Sequence, residues 1–148
     1  MAGDKDLQPL LGVRQNQLSF ELGVSDVIDT KSLALLAANL AILLFMAQAK
    51  LDVEWWGYAF SVLPYLVSLA VTILTIWPRD YSGAGVKLSD HPEYLNMKQE
   101  PLLLQLIADT EAAIQKNEDL NKKRLRYFIS AIALAGLATI ALFGILII

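Results

Sequence analysis

Four hydroxyl side chains, Ser61, Ser68, Thr72 and Thr75, fall at intervals of seven, four and three in a stretch with no charged residue from 55 to 77. That spacing puts them on one face of a helix. Two further uncharged stretches carry polar groups of the same kind. Asn39 sits among Ala34, Ala37, Ala38 and Ala41, and Ser130 and Thr139 sit among Ala131, Ala135, Gly136 and Ala138. In an apolar solvent an unpaired hydroxyl or amide is penalised, so such groups either bond across helices or face water. The first outcome makes them packing contacts between closely approaching helices. The second makes Asn39, Ser61, Ser68, Thr72, Thr75, Ser130 and Thr139 candidates for lining a conduit in an assembly, because three spans alone enclose no pore. The spans contain no charge, and with it goes the usual marker of proton- or ion-coupled transport.

A second kind of chemistry is suggested by Lys122, Lys123, Arg124 and Arg126, a basic cluster just before the third uncharged stretch. One copy of it anchors topology and touches anionic headgroups. Repeated around a symmetric oligomer, it becomes a ring that attracts anions or nucleic-acid phosphates. Lys116 and Arg79 are lesser candidates for the same contact. The seam 103, 107, 110, 114, 117, 121, 124 reads Leu, Ile, Thr, Ile, Asn, Asn, Arg, apolar far from the third stretch and polar near it. Asn117 and Asn121 either fix the register of a bundle or bond to a ligand. Stacking aromatics are few nearby, so recognition of a nucleic acid is expected through its backbone charge.

Catalysis finds little support. His91 is the one histidine and cysteine is absent. No Gly-rich phosphate loop or metal-spaced carboxylate cluster occurs, and no cofactor or metal is expected. His91 before Pro92 reads as a turn residue. Asp109 and Glu111 point in different directions on a helix and form no carboxylate pair.

The elements that must position these groups are helices. The uncharged stretches 32–49, 55–77 and 127–148 each approach the roughly 20 residues that cross a bilayer core, and 55% of the 148 residues are hydrophobic. An all-α membrane protein with three transmembrane helices is therefore expected. About 30 mixed-charge residues precede the first span, which argues against a cleaved signal peptide. Residues 1–12 read as a mobile tail, although Leu7, Leu10 and Leu11 could dock. Residues 13–31 read as an amphipathic helix weakened at Gly23. Between 78 and 100, Ser82-Gly83-Ala84-Gly85 and Asp90-His91-Pro92 mark a connector. From Pro101 an apolar stripe runs without a breaker into the third span. It predicts one helix of about 47 residues, roughly 70 Å long, with half of it beyond the bilayer. Arg79, Lys87, Lys98, Lys116 and the basic cluster place 78–126 in the cytoplasm, against Lys50, Asp52 and Glu54 in the first turn. The N-terminus then lies inside and the C-terminus at the outer face, with Trp55, Trp56 and Tyr58 at the outer interface and Trp77 and Tyr127 at the inner one.

This layout resembles the small membrane effectors of bacterial anti-phage nucleotide-signalling systems, including the SLATT and Pycsar transmembrane families and the membrane effector of the Hailong system. The resemblance covers residues 15–148. It is carried by Asp29-Thr30-Lys31 entering the first span, Leu36 and Asn39-Leu40 within it, Trp77-Pro78-Arg79 leaving the second, and 111–126 running into the third. It implies an inner-membrane homo-oligomer controlled by a nucleotide or oligonucleotide from a partner nucleotidyltransferase, which impairs the host membrane when triggered. In the Hailong case it implies a channel kept closed by bound single-stranded DNA. With no fused ligand-binding domain, a ligand would have to bind the cytoplasmic helices themselves. The expectation is a homo-oligomer, a tetramer, whose copies meet through the third helix around an ion-conducting pore that depolarises the cell. Two other classes remain open: a non-conducting scaffold or regulatory subunit for a soluble partner, and a holin-like lysis protein.

Overall fold

The computed structural model describes residues 4–48, 55–83 and 92–147, all of whose regular structure is helical. There are three long helices, α1 (Asp4–Gln48), α2 (Trp55–Ile76) and α3 (Gln99–Ile147), with a short 3-10 helix at Pro92–Asn96. All three are long and apolar enough to cross a membrane. The first turn between spans (Lys50, Asp52, Glu54), Lys87 and the His91 turn lie outside the described residues, as do the side chains of Trp55, Trp56 and Tyr58.

Local sequence accounts for the helix ends. Alpha-helical geometry is disfavoured before proline, and α2 closes with the Trp77 amide bonded to the Ile73 carbonyl at 2.9 Å, directly ahead of Pro78. Pro101 occupies the first turn of α3, where an amide hydrogen would have no partner. The Lys98 carbonyl accepts the Leu102 amide at 3.1 Å. α3 is thus one unbroken helix of 49 residues, as its stripe predicted. α1 is 45 residues long and joins the expected amphipathic segment and first span without interruption, passing through Gly23. Residues 4–12, expected as a tail, are instead its first turns. The physical reason is Leu7, which is buried and ties down the helix start; Pro9 lies inside the helix and leaves one carbonyl of the preceding turn without its amide partner.

Two compact units divide the chain: Met1–Ser25 with Arg79–Lys122, and Asp26–Pro78 with Lys123–Ile148. The second, here the membrane unit, is a three-helix bundle. On α2 the buried positions are Ser61, Tyr65, Ser68, Thr72 and Thr75, stepping by four and three. α1 buries Ile28, Ser32, Asn39 and Met46, and α3 buries Arg124, Ala131, Ala138 and Leu142. This is the 3.5-residue period of helices packed at shallow angles. Contacts Thr75 to Arg124, Ser68 to Ala131 and Tyr65 to Thr139 run α2 antiparallel to α3. One apolar cluster, of Met46, Tyr65, Ala138 and Leu142, closes one end of the bundle. Outside, Leu44, Phe60, Leu63, Ile129, Leu137, Ile140 and Phe143 are all exposed. Soluble proteins do not leave such continuous apolar surface to water. Polar groups inside and large apolar groups outside are what a lipid solvent dictates.

The other unit, here the charged unit, pairs the first half of α1 with the first half of α3. Its buried apolar residues are Leu7, Leu18, Tyr94, Leu103 and Ile114. Arg14 bonds to Glu111 at 3.1 Å and Asn121 bonds to Glu21, so the two helices run parallel.

Candidate functional site

The interior of the membrane unit is a ladder of polar groups built from all three helices. At one end Arg124, only 2% exposed, forms an ion pair with Asp29 on α1. Its Nε also donates to the Thr75 carbonyl on α2 at 2.9 Å. A buried guanidinium is tolerated only when its charge and donors are matched, and here one side chain ties three helices together.

Further along, Asn39 Nδ2 donates to Ser68 Oγ at 2.9 Å, and Ser68 Oγ donates to the Ala131 carbonyl at 2.8 Å. This relay again joins α1, α2 and α3. Thr72 and Thr75 turn their hydroxyls back to the carbonyls of Ser68 and Val71, and Ser61 does the same to Gly57. Helical hydroxyls commonly take this bond when no other partner is in reach. Tyr65 and Thr139 are 2.7 Å apart. Thr139 spends its hydrogen on the Ala135 carbonyl, so Tyr65 is the donor to Thr139, each hydroxyl having one hydrogen to give. Ser32 is fully buried and its Oγ has no hydrogen-bond partner among the described residues.

The sequence face Ser61, Ser68, Thr72, Thr75 is therefore real, and Asn39 meets it. All five groups lie inside the chain's own bundle, where they contact its own helices. Thr139 joins them half-buried through Tyr65. Ser130 does not: it is exposed on the outer side of α3.

The basic cluster divides. Lys122, Lys123 and Arg126 are exposed, whereas Arg124 points into the bundle. The four were expected together as phosphate or anion contacts, and helix geometry sets Arg124 apart: successive residues are about 100° apart, and 124 falls on the seam with 117 and 121. Lys122 is paired with Glu118 at 2.7 Å. Lys116 is exposed and Arg79 half-buried.

Within the charged unit, Asn117 and Asn121 are engaged with the protein itself. Asn117 accepts from the Ser82 amide at 2.9 Å and donates to the Ser82 carbonyl at 2.8 Å, a two-point clamp on the connector. Asn121 donates to the Glu21 carbonyl and carboxylate and accepts from the Tyr81 hydroxyl at 2.9 Å. Both are buried, with the polar capacity of each amide largely used. Asn121 thereby joins α3 to α1 and to the connector, and Asn117 joins α3 to the connector. Asp109 and Glu111 point apart as expected. Asp109 accepts from Tyr94 at 2.6 Å and Gln105 at 3.0 Å, while Glu111 meets Arg14. That hydrogen bond to Asp109, then burial, then the carboxylate's charge raise the Tyr94 phenol above its ordinary 10.0.

Asp29, Tyr65, Tyr81 and Tyr94 were not singled out for these roles by sequence. Tyr65 had a signal, because it lies four after Ser61 and three before Ser68 on the same face. Among the described residues no group of three or more histidine, cysteine or acidic side chains is placed to hold a metal.

Fold and site together define a class, a membrane protein of three helices whose bundle is held by buried hydroxyl, amide and guanidinium contacts. No known family model, curated protein or solved structure matches the chain.

Proposed function

We propose that the chain is a homo-oligomeric membrane effector of anti-phage defence, forming an ion-conducting pore controlled by a nucleotide or single-stranded oligonucleotide. The observation that carries this reading is the polar ladder inside an apolar-shelled bundle, taken with the sequence resemblance. Hydroxyl and amide groups at the depth of a bilayer core are costly unless they have work to do. In the closed state they satisfy one another through Asn39, Ser68 and the Ala131 carbonyl. Opening parts the helices along this face and exposes Asn39, Ser68, Thr72 and Thr75 to a hydrated axis of the assembly. The exposed cations of α3, Lys122, Lys123 and Arg126, supply charge for ligand phosphates. Arg124, joined to Asp29 and Thr75, transmits movement of α3 to the other two helices. The N-terminus and the connector lie in the cytoplasm of a bacterial cell.

The test is reconstitution in potassium-loaded vesicles, with flux read before and after addition of nucleotides or short single-stranded DNA. Ligand-dependent flux that is lost in the Lys123→Glu, Arg126→Glu double variant is expected. Flux unaltered by that variant would remove the gating role of these cations.

A second reading is favoured by the same hydrogen bonds being closed within one protomer, as in helix packing without conduction. It makes the protein a scaffold or regulatory subunit for a soluble partner. Vesicles that pass no current under any ligand condition would select it.

A further inference from the structure

α1 carries a second seam that the other described residues leave largely exposed, with Val24 half-buried. One face of α1, through Leu7, Leu18, Ser25, Ile28, Ser32, Asn39 and Met46, packs within the protomer. About a third of a turn round the helix, Leu10, Val13, Gln17, Phe20, Val24 and Val27 step by three and four residues. Phe20 is 68% exposed and Val13 60%. Five of these six positions are apolar, in the part of α1 that precedes the uncharged stretch. On the same heptad register, beyond Lys31, come Ala34, Ala38, Ala41 and Phe45, and these too are exposed.

The composition of the seam changes where the solvent changes. In water, helices associate by burying large apolar side chains at this spacing. In lipid that driving force vanishes, and small residues that permit close approach take its place. Before Lys31 the seam is Leu, Val and Phe around Gln17; after it, three alanines precede Phe45. Lipid contact explains neither half well, since it cannot reach Phe20, about 18 Å of helix ahead of Ser32, and it does not call for alanine. A soluble partner would account for the first half alone. Lys31 stands at the crossover, where a long stem can carry its ammonium to the headgroups. Gln17, polar within the seam, is suited to fixing register.

We infer that copies of this chain meet through α1, side by side in parallel about a common axis, with the seam from Leu10 to Phe45 as their contact. The partner is a second copy, which carries the same passage from water to lipid and so matches both halves. Copies inserted alike in one bilayer also present this seam at the same depth and in the same direction, which raises their effective concentration for a parallel pairing. The inference rests on the homo-oligomeric part of the function proposed above and replaces α3 with α1 as the meeting helix.

The chain has no cysteine, so single-cysteine variants report on one position each. Phe20→Cys and Ala38→Cys are oxidised in native membranes with copper phenanthroline, beside Leu63→Cys on α2 and Ile140→Cys on α3, both exposed in the protomer. The two α1 variants are expected to shift from monomer to dimer mass while Leu63→Cys and Ile140→Cys remain monomeric. Cross-linking through Ile140→Cys without the α1 variants overturns the α1 seam and leaves the oligomer standing on α3. Equal cross-linking at all four positions reflects chance collision and also overturns the seam. Monomer mass for every variant, together with monomers by native mass measurement, removes the oligomer as well.

Discussion

The membrane unit and the charged unit use the same three-and-four spacing and fill it with polar and apolar side chains in different proportions. In the charged unit the buried positions are mainly Leu7, Leu18, Tyr94, Leu103 and Ile114, with Ser25, Asn117 and Asn121 as the polar exceptions. In the membrane unit Ser32, Asn39, Ser61, Ser68, Thr72, Thr75 and Arg124 share the interior with Ile28, Met46, Tyr65, Ala131, Ala138 and Leu142, while most of the large apolar side chains are outside. The difference follows from the medium. Where water is outside, removing leucine from it drives assembly. Where lipid is outside, leucine gains nothing by moving inward, and close contact and hydrogen bonding are left to hold helices together. The spacing sets which residues meet; the solvent sets what they must be.

The sharpest way to break this comparison is at Arg124. Arg124→Met leaves Asp29 without its cation and the Thr75 carbonyl without its side-chain donor. Because Asp29 is 39% exposed and can regain some water, the expected loss is about 2–3 kcal/mol, below the value for a fully buried pair. Thermal unfolding in detergent should show it as the largest single destabilisation. Asp29→Leu combined with Arg124→Met should recover much of the loss, since it leaves no unmatched charge. A single variant as stable as the parent would show that Arg124 does not bind the three helices.

In the charged unit the matching test is Asn117→Ala, which opens the clamp on Ser82. Two hydrogen bonds to backbone groups are lost at a buried site, for an expected cost of about 1–2 kcal/mol. Limited proteolysis should then cut within 79–83 faster than in the parent protein. Unchanged cutting there would mean that the connector is held by other contacts. Asn39→Ala in the membrane unit should cost less, about 1 kcal/mol, because hydrogen bonds between transmembrane helices are individually modest. Helix association in detergent titrations measures it. A loss larger than that for Asn117→Ala would reverse the order expected from the two media.

Much of this was legible from residue types and spacing. Uncharged runs of span length gave the three helices, and the absence of a breaker after Pro101 gave the length of α3. The hydroxyl face was found by its intervals alone. What spacing cannot supply is the identity of the surface that a face meets, because a periodic pattern defines an azimuth on one helix and nothing across from it. Ser61, Ser68, Thr72 and Thr75 could therefore be assigned to a shared pore or to the protomer's own interior with equal right. Arg124 illustrates a conflict between two readings. Adjacency grouped it with Lys122, Lys123 and Arg126, whereas the seam through 117 and 121 turned it inward, and rotation along the helix decided for the seam. Asp29 had no signal of its own, since a lone acid before a span is indistinguishable from a solvated one until its partner is placed. Pairings such as Tyr81 with Asn121, 40 residues apart, depend on how the connector returns, which no local pattern encodes.

The smallest expected effect distinguishes the units by pH. Tyr94, in the charged unit, donates its phenolic hydrogen to Asp109. That bond, with burial and the nearby negative charge, holds its pKa above the ordinary 10.0. A group whose pKa is higher folded than unfolded contributes its full stabilisation below the unfolded value and loses it as pH rises through the folded one. The contribution from Tyr94 is thus flat up to about pH 10 and declines above it. Ultraviolet titration of the phenolates should show that Tyr94→Phe removes the component titrating above the ordinary value, and the variant should lack this part of the alkaline loss in stability. Loss of a phenol titrating at the ordinary value would mean that the contact with Asp109 is not kept in solution, and this part of the contrast would fall.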